Sequence, residues 1–65
     1  MVTLYVSHKQ APDDILRVAR RFLQENISVT LEPTNKKASK QILKEIESQG
    51  ITQVVVQNKV IHISP

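Results

Sequence analysis

His8 and His62 are the only histidines in a 65-residue chain that has no cysteine, and this sets narrow bounds on its chemistry. Without thiols there is no disulfide, no thiolate metal site and no sulfur nucleophile. Neither histidine has a carboxylate or a second histidine at ligand spacing, such as the i, i+4 pair that a helix offers to zinc, so no metal site is expected. Asp13 and Asp14 are adjacent and point in different directions on a helix, which suits the positive end of a helix dipole better than paired acid–base work. A nucleophile elbow or a phosphate loop needs clustered glycines, and Gly50 is the only glycine here. The expectation is a non-enzymatic chain that uses no cofactor.

The basic residues are better organised. Arg17, Arg20 and Arg21 fall on one side of a helical stretch, opposite its apolar stripe, and Lys36, Lys40 and Lys44 recur every four residues along a second, with Lys37 beside them. Like charges at this spacing repel by roughly a few tenths of a kcal/mol, which an anion would relieve. Together with Lys9 in the first connection, these eight residues are candidate phosphate contacts; a solvated face interrupted by Glu25, Glu45 and Glu47 is the plainer reading. The net charge of +3 and the pI near 9.6 are compatible with a nucleic-acid partner without demanding one. Tyr5 is the one aromatic on a polar strand row, too few for a base-stacking platform.

The elements that must carry these residues are legible as two periodicities. Val2, Leu4 and Val6 alternate with Thr3, Tyr5 and Ser7, and Ile27, Val29 and Leu31 alternate with Ser28, Thr30 and Glu32, so each strand has a dry row and a wet row. Ile15, Leu16, Val18, Ala19, Phe22 and Leu23 predict a helix from Pro12 to about Glu25, stopped at Asn26 in the left-handed region. Thr34 or Asn35 can cap a second helix with Ala38, Ile42, Leu43 and Ile46 on its buried side and Gly50 at its end. Ile51 to Gln57 reads as a strand whose continuous run Val54, Val55 and Val56 marks a central position, and Asn58-Lys59 as a two-residue turn into a last antiparallel strand from Val60 to Ser64.

The order is βαβαββ in a single domain spanning residues 1–65. If the wet rows stay open, both helices lie on one face of a four-stranded mixed sheet, a two-layer α+β fold with a polar open face, and the last strand lies beside or inside the end of the sheet. The first strand, without Lys or Pro to blunt it, is a candidate edge for a weak homodimer. No apolar run approaches a membrane span, and Met1 leads directly into a strand pattern, so a soluble, cytoplasmic chain without a membrane partner is expected.

This element order resembles the C-terminal domain of bacterial translation initiation factor three, whose fold is shared by the RNA-splicing and ribosome-maturation (CRM) domain and the Alba chromatin proteins. The closing stretch Val54-Val55-Val56-Gln57-Asn58-Lys59-Val60-Ile61-His62-Ile63-Ser64-Pro65 is similar to the last hairpin of the maturation domain. That resemblance implies a small RNA-binding module, although the glycine-rich RNA-contacting loop of that family is replaced by Ser7-His8-Lys9-Gln10. Ile15–Leu23 followed by Ile27–Leu31 also resembles the opening of the class II aminoacyl-tRNA synthetase anticodon-binding domain, which would imply a three-layer fold. The short connections and strong helix formers equally suit an engineered or de novo designed scaffold with no evolved function, and the open face or the edge strand suits a protein-interaction domain.

Overall fold

The computed structural model describes residues 1–65. It contains β1 (Val2–Val6), α1 (Pro12–Gln24), β2 (Val29–Pro33), α2 (Lys36–Ser48), β3 (Val54–Gln57) and β4 (Val60–Ile63). The strands form one sheet in the order β1-β2-β4-β3. β1 runs parallel to β2, and β4 is antiparallel to both of its neighbours. The last strand thus lies inside the end of the sheet, and β1 and β3 are its edges.

Both helices end in the same way, and those ends decide where the following strands begin. Asn26 adopts φ 64° after α1, and Gly50 adopts φ 71° after α2. The Ile27 N–H then reaches back to the Phe22 carbonyl, and the Ile51 N–H to that of Ile46, while Asn26 and Gly50 donate to Leu23 and Glu47. These paired bonds satisfy carbonyls that a helix end would otherwise leave open. Ile27 and Ile51 are committed to these caps, so β2 starts at Val29 and β3 at Val54, later than apolar alternation alone suggests.

Register puts the dry rows together. Val29 opposes Ile63, Leu31 opposes both Leu4 and Ile61, and cross-strand partners project to the same face. Val6, Val29, Leu31, Ile61 and Ile63 share one buried cluster with Leu16 and Ala19 of α1 and Ala38, Ile42 and Ile46 of α2. Both helices therefore cover one side of the sheet, in two layers. The other side carries Thr3, Tyr5, Glu32, Val55 and His62. Thr30, on this open side, is nonetheless only 6 % exposed, because it sits in an inner strand between Thr3 and His62 and its hydroxyl shares a 3.3 Å hydrogen bond with His62 Nδ1.

The valine run is a correction to the sequence reading. β3 is an edge strand, and Val55 and Val56 are 56 % and 52 % exposed. The central place belongs to β4, where Ile61 and Ile63 are fully covered. An apolar run reports burial only when neighbours exist on both sides; the tight turn after Gln57 sets β3 beside β4, and the pairing of β4 with β2 leaves β3 outside.

That turn is built from Asn58 at φ 48° and Lys59 at φ 67°, both left-handed, the signature of a type I′ hairpin. Asn tolerates this region, whereas a lysine there is strained by roughly 1–2 kcal/mol. Lys59→Gly should accordingly raise the unfolding free energy by about 1 kcal/mol in urea titration. A neutral or negative change would contradict the turn assignment. Leu31→Ala, which empties the centre of the core, should cost about 3 kcal/mol or more and leave so small a domain largely unfolded by circular dichroism.

Candidate nucleic-acid interface

The candidate site begins at the N-terminus of α2. Asn35 is extended, and its Oδ1 accepts from the Ala38 N–H at 2.8 Å, a side-chain cap of the first turn. With Oδ1 engaged, the amide's Nδ2 is free to donate, and it does so to His8 Nδ1 at 3.0 Å. The β1–α1 connection is thereby tied to the start of α2. The connection is itself ordered without glycine: the Ser7 N–H donates to Gln10 Oε1 at 2.9 Å and the Lys9 N–H to Ser7 Oγ at 3.2 Å.

Around this joint the structure sorts the eight basic candidates into separate places. Lys36 and Lys40 line a hollow of about 390 Å³ with Thr34, Asn35, Ser39 and Lys59. Lys9 and Lys44 line a wider one of about 600 Å³ with His8, Gln10, Gln41 and Glu45. Arg17, Arg20 and Arg21 surround a third of about 360 Å³ with Gln24 and Gln49, whose Oε1 is buried without a partner. Lys37 is exposed and lines none of them. The lysine column of α2 is thus divided between two hollows, with only Lys36 and Lys40 working together.

Lys59 is the residue that sequence reading omits. The turn containing it is recognisable from Asn58-Lys59, but which helix end the turn approaches depends on strand order. With β4 inserted next to β2, the hairpin tip reaches the first turn of α2, and a third ammonium group joins Lys36 and Lys40. No carboxylate lines that hollow. The wider hollow holds Glu45, and Arg17 already pairs with Asp14 at 3.5 Å, so both of those surfaces are partly neutralised.

The two helices also differ in how charge meets their dipoles. α1 has Asp13 and Asp14 in its first turn and Arg21 in its last, the arrangement that the dipole favours. α2 reverses it: Lys36 and Lys37 open the helix, no acidic residue stands in the first turn, no basic one in the last, and Glu45 and Glu47 lie near the end. Each misplaced charge costs about 0.3–1 kcal/mol at low salt.

Comparison with protein-family models, with curated proteins and with solved structures returns no match to this chain. The functional reading rests on this geometry. No group of His, Cys, Asp or Glu stands close enough to hold a metal ion, and no helix is long and apolar enough to cross a membrane.

Asn35 is the residue on which the joint turns. Asn35→Ala should lower the unfolding free energy by about 1 kcal/mol, whereas Asn35→Asp, which keeps the cap acceptor, should lose little. Equal losses for the two variants in denaturant titration would contradict the cap.

Proposed function

We propose that this chain is a non-enzymatic RNA-binding module that grips phosphates at the start of α2. The observation that carries the reading is the reversed charge of that helix. Lys36 and Lys37 repel the positive helix end, Lys36 and Lys40 repel each other, and Lys59 is added from a strained backbone position, all without a carboxylate in the hollow. Every one of these choices lowers the stability of the free protein. A bound polyanion reverses the sign of the charge terms and leaves only the backbone strain at Lys59, because phosphate oxygens meet ammonium groups and the open N–H groups of a helix N-terminus. The hydroxyls of Thr34 and Ser39 add donors that suit phosphate as well as carboxylate.

Lys9 and Lys44 at the wider hollow, and Arg17, Arg20 and Arg21 along α1, extend the basic surface to either side. They serve to steer and to position a phosphate backbone, with little sequence selectivity, since phosphate contacts carry no base information. The excess of positive charge, +3 overall, agrees with this role. The element order resembles that of the initiation-factor-three and CRM domains, and the resemblance implies the same class of partner.

The reading has an unusual test, because two substitutions that weaken binding should strengthen the fold. In fluorescence-polarisation titrations of a short mixed-sequence single-stranded RNA, Lys36→Glu/Lys59→Gly should bind at least roughly tenfold more weakly at low salt, with a shallower fall of log K against log salt. The same variant should unfold at higher urea than the parent chain. Unchanged RNA affinity in the better-folded variant would refute the proposal.

A further inference from the structure

The edge strand β3 and the residue before it, Gln53-Val54-Val55-Val56-Gln57, read the same in both directions, and the structure leaves this palindrome on an open sheet edge. We infer that β3 is a self-recognition strand: two copies of the chain pair antiparallel through it, about a two-fold axis at Val55, into one continuous sheet. This inference is independent of the RNA reading, since it rests on backbone bonds and apolar contact instead of charge.

Backbone accounting fixes the register. Ladder bonds to β4 alternate along β3; the Ser64 N–H donates to the Gln53 carbonyl at 3.0 Å, and Gln53, Val55 and Gln57 therefore face β4. The peptide groups of Val54 and Val56 point outward and have no partner in the monomer. In an antiparallel self-pair centred on Val55, Val54 and the partner's Val56 exchange both N–H···O bonds, and Val56 and the partner's Val54 do the same. Gln53 then opposes the partner's Gln57, amide to amide, on the open face.

The side chains agree with that register. Val55 projects to the open face and Val56 to the helix face, yet both are about half exposed because nothing covers the edge. The pairing sets Val55 against the partner's Val55 and Val56 against the partner's Val54, which covers both. In this isologous register only Val55 meets its own copy, while Val54 meets Val56 and Gln53 meets Gln57, so an uncharged segment sets no like charges against each other. The stretch from Ile51 to Asn58 contains no charged residue in a chain with 15 of them, counting nine basic and six acidic. Lys59 stands outside the paired segment, at opposite ends of the two-fold.

The other edge fits less well. On β1 the helix-facing side chains are already covered, with Val6 only 2 % exposed and Leu4 packed on the core, and a self-pair centred on Leu4 would set Tyr5 against Thr3. A pairing as short as β3 buries less than the roughly 1,200 Å² of a standard interface, so the dimer is one that forms and dissociates with concentration.

The absence of native cysteine allows a direct test on the full chain. At the centre of the proposed pair the Cα atoms approach to about 4.5 Å, within disulfide range. Under mild oxidation Val55→Cys should cross-link into a dimer at least roughly tenfold faster than Thr3→Cys on the β1 edge, because pairing raises the effective thiol concentration. Adding Val56→Lys, an edge-blunting charge at an exposed position, should abolish that advantage while circular dichroism stays unchanged. Sedimentation of the unmodified chain should show mass rising towards a dimer with concentration. Equal cross-linking rates, a faster Thr3→Cys, or a strictly monomeric mass at the highest concentrations would each overturn the inference.

Discussion

The insertion of β4 between β2 and β3 is the constraint on which the rest of the molecule depends. A two-residue type I′ turn leaves β3 no choice but to lie beside β4, and β4 must carry Ile61 and Ile63 onto the helix-covered face beside Leu31 and Val29. Three consequences follow together. The core is centred on β2 and β4, β3 is pushed out to an edge with two bare valines, and the hairpin tip brings Lys59 to the first turn of α2. A different strand order would bury the valines and remove Lys59 from the basic hollow.

A domain of this size has little stability to spare, since conformational entropy nearly cancels what a small core contributes. Against that background the contrast between the helices is informative. α1 obeys the dipole and is closed by Asn26; α2 has a side-chain cap at Asn35 that α1, starting from Ala11, lacks, and a matching stop at Gly50, but carries its lysines first and its glutamates last. The cap offsets part of what the charges cost. Local rules that are broken at one place in an otherwise consistent sequence mark the place where a function is sought.

Most of the fold could be read from the chain, and what could not has a common cause. The alternating rows of β1 and β2, the spacing of Leu16 and Ala19, and the stops at Asn26 and Gly50 are local signals, and they hold. The edge position of Val54–Gln57 is not local: the run is apolar because its residues face a core on one side and an uncovered surface on the other, and composition does not separate that from a central strand. The burial of Thr30 under a polar row, the bond from Asn35 to His8, and the approach of Lys59 to Lys36 likewise depend on which strands are neighbours. The lysine column of α2 was visible as a column, but its division between two hollows follows from the shape of the loops around it.

Amide hydrogen exchange by NMR in dilute solution tests the placement of β4 most directly. The account predicts an alternation along β3, with the Val55 and Gln57 N–H groups protected by β4 and those of Val54 and Val56 exchanging fast, while Ile61, His62 and Ile63 of β4 are all protected. Equal slow exchange of all four β3 amides at high dilution, or fast exchange within β4, would contradict it.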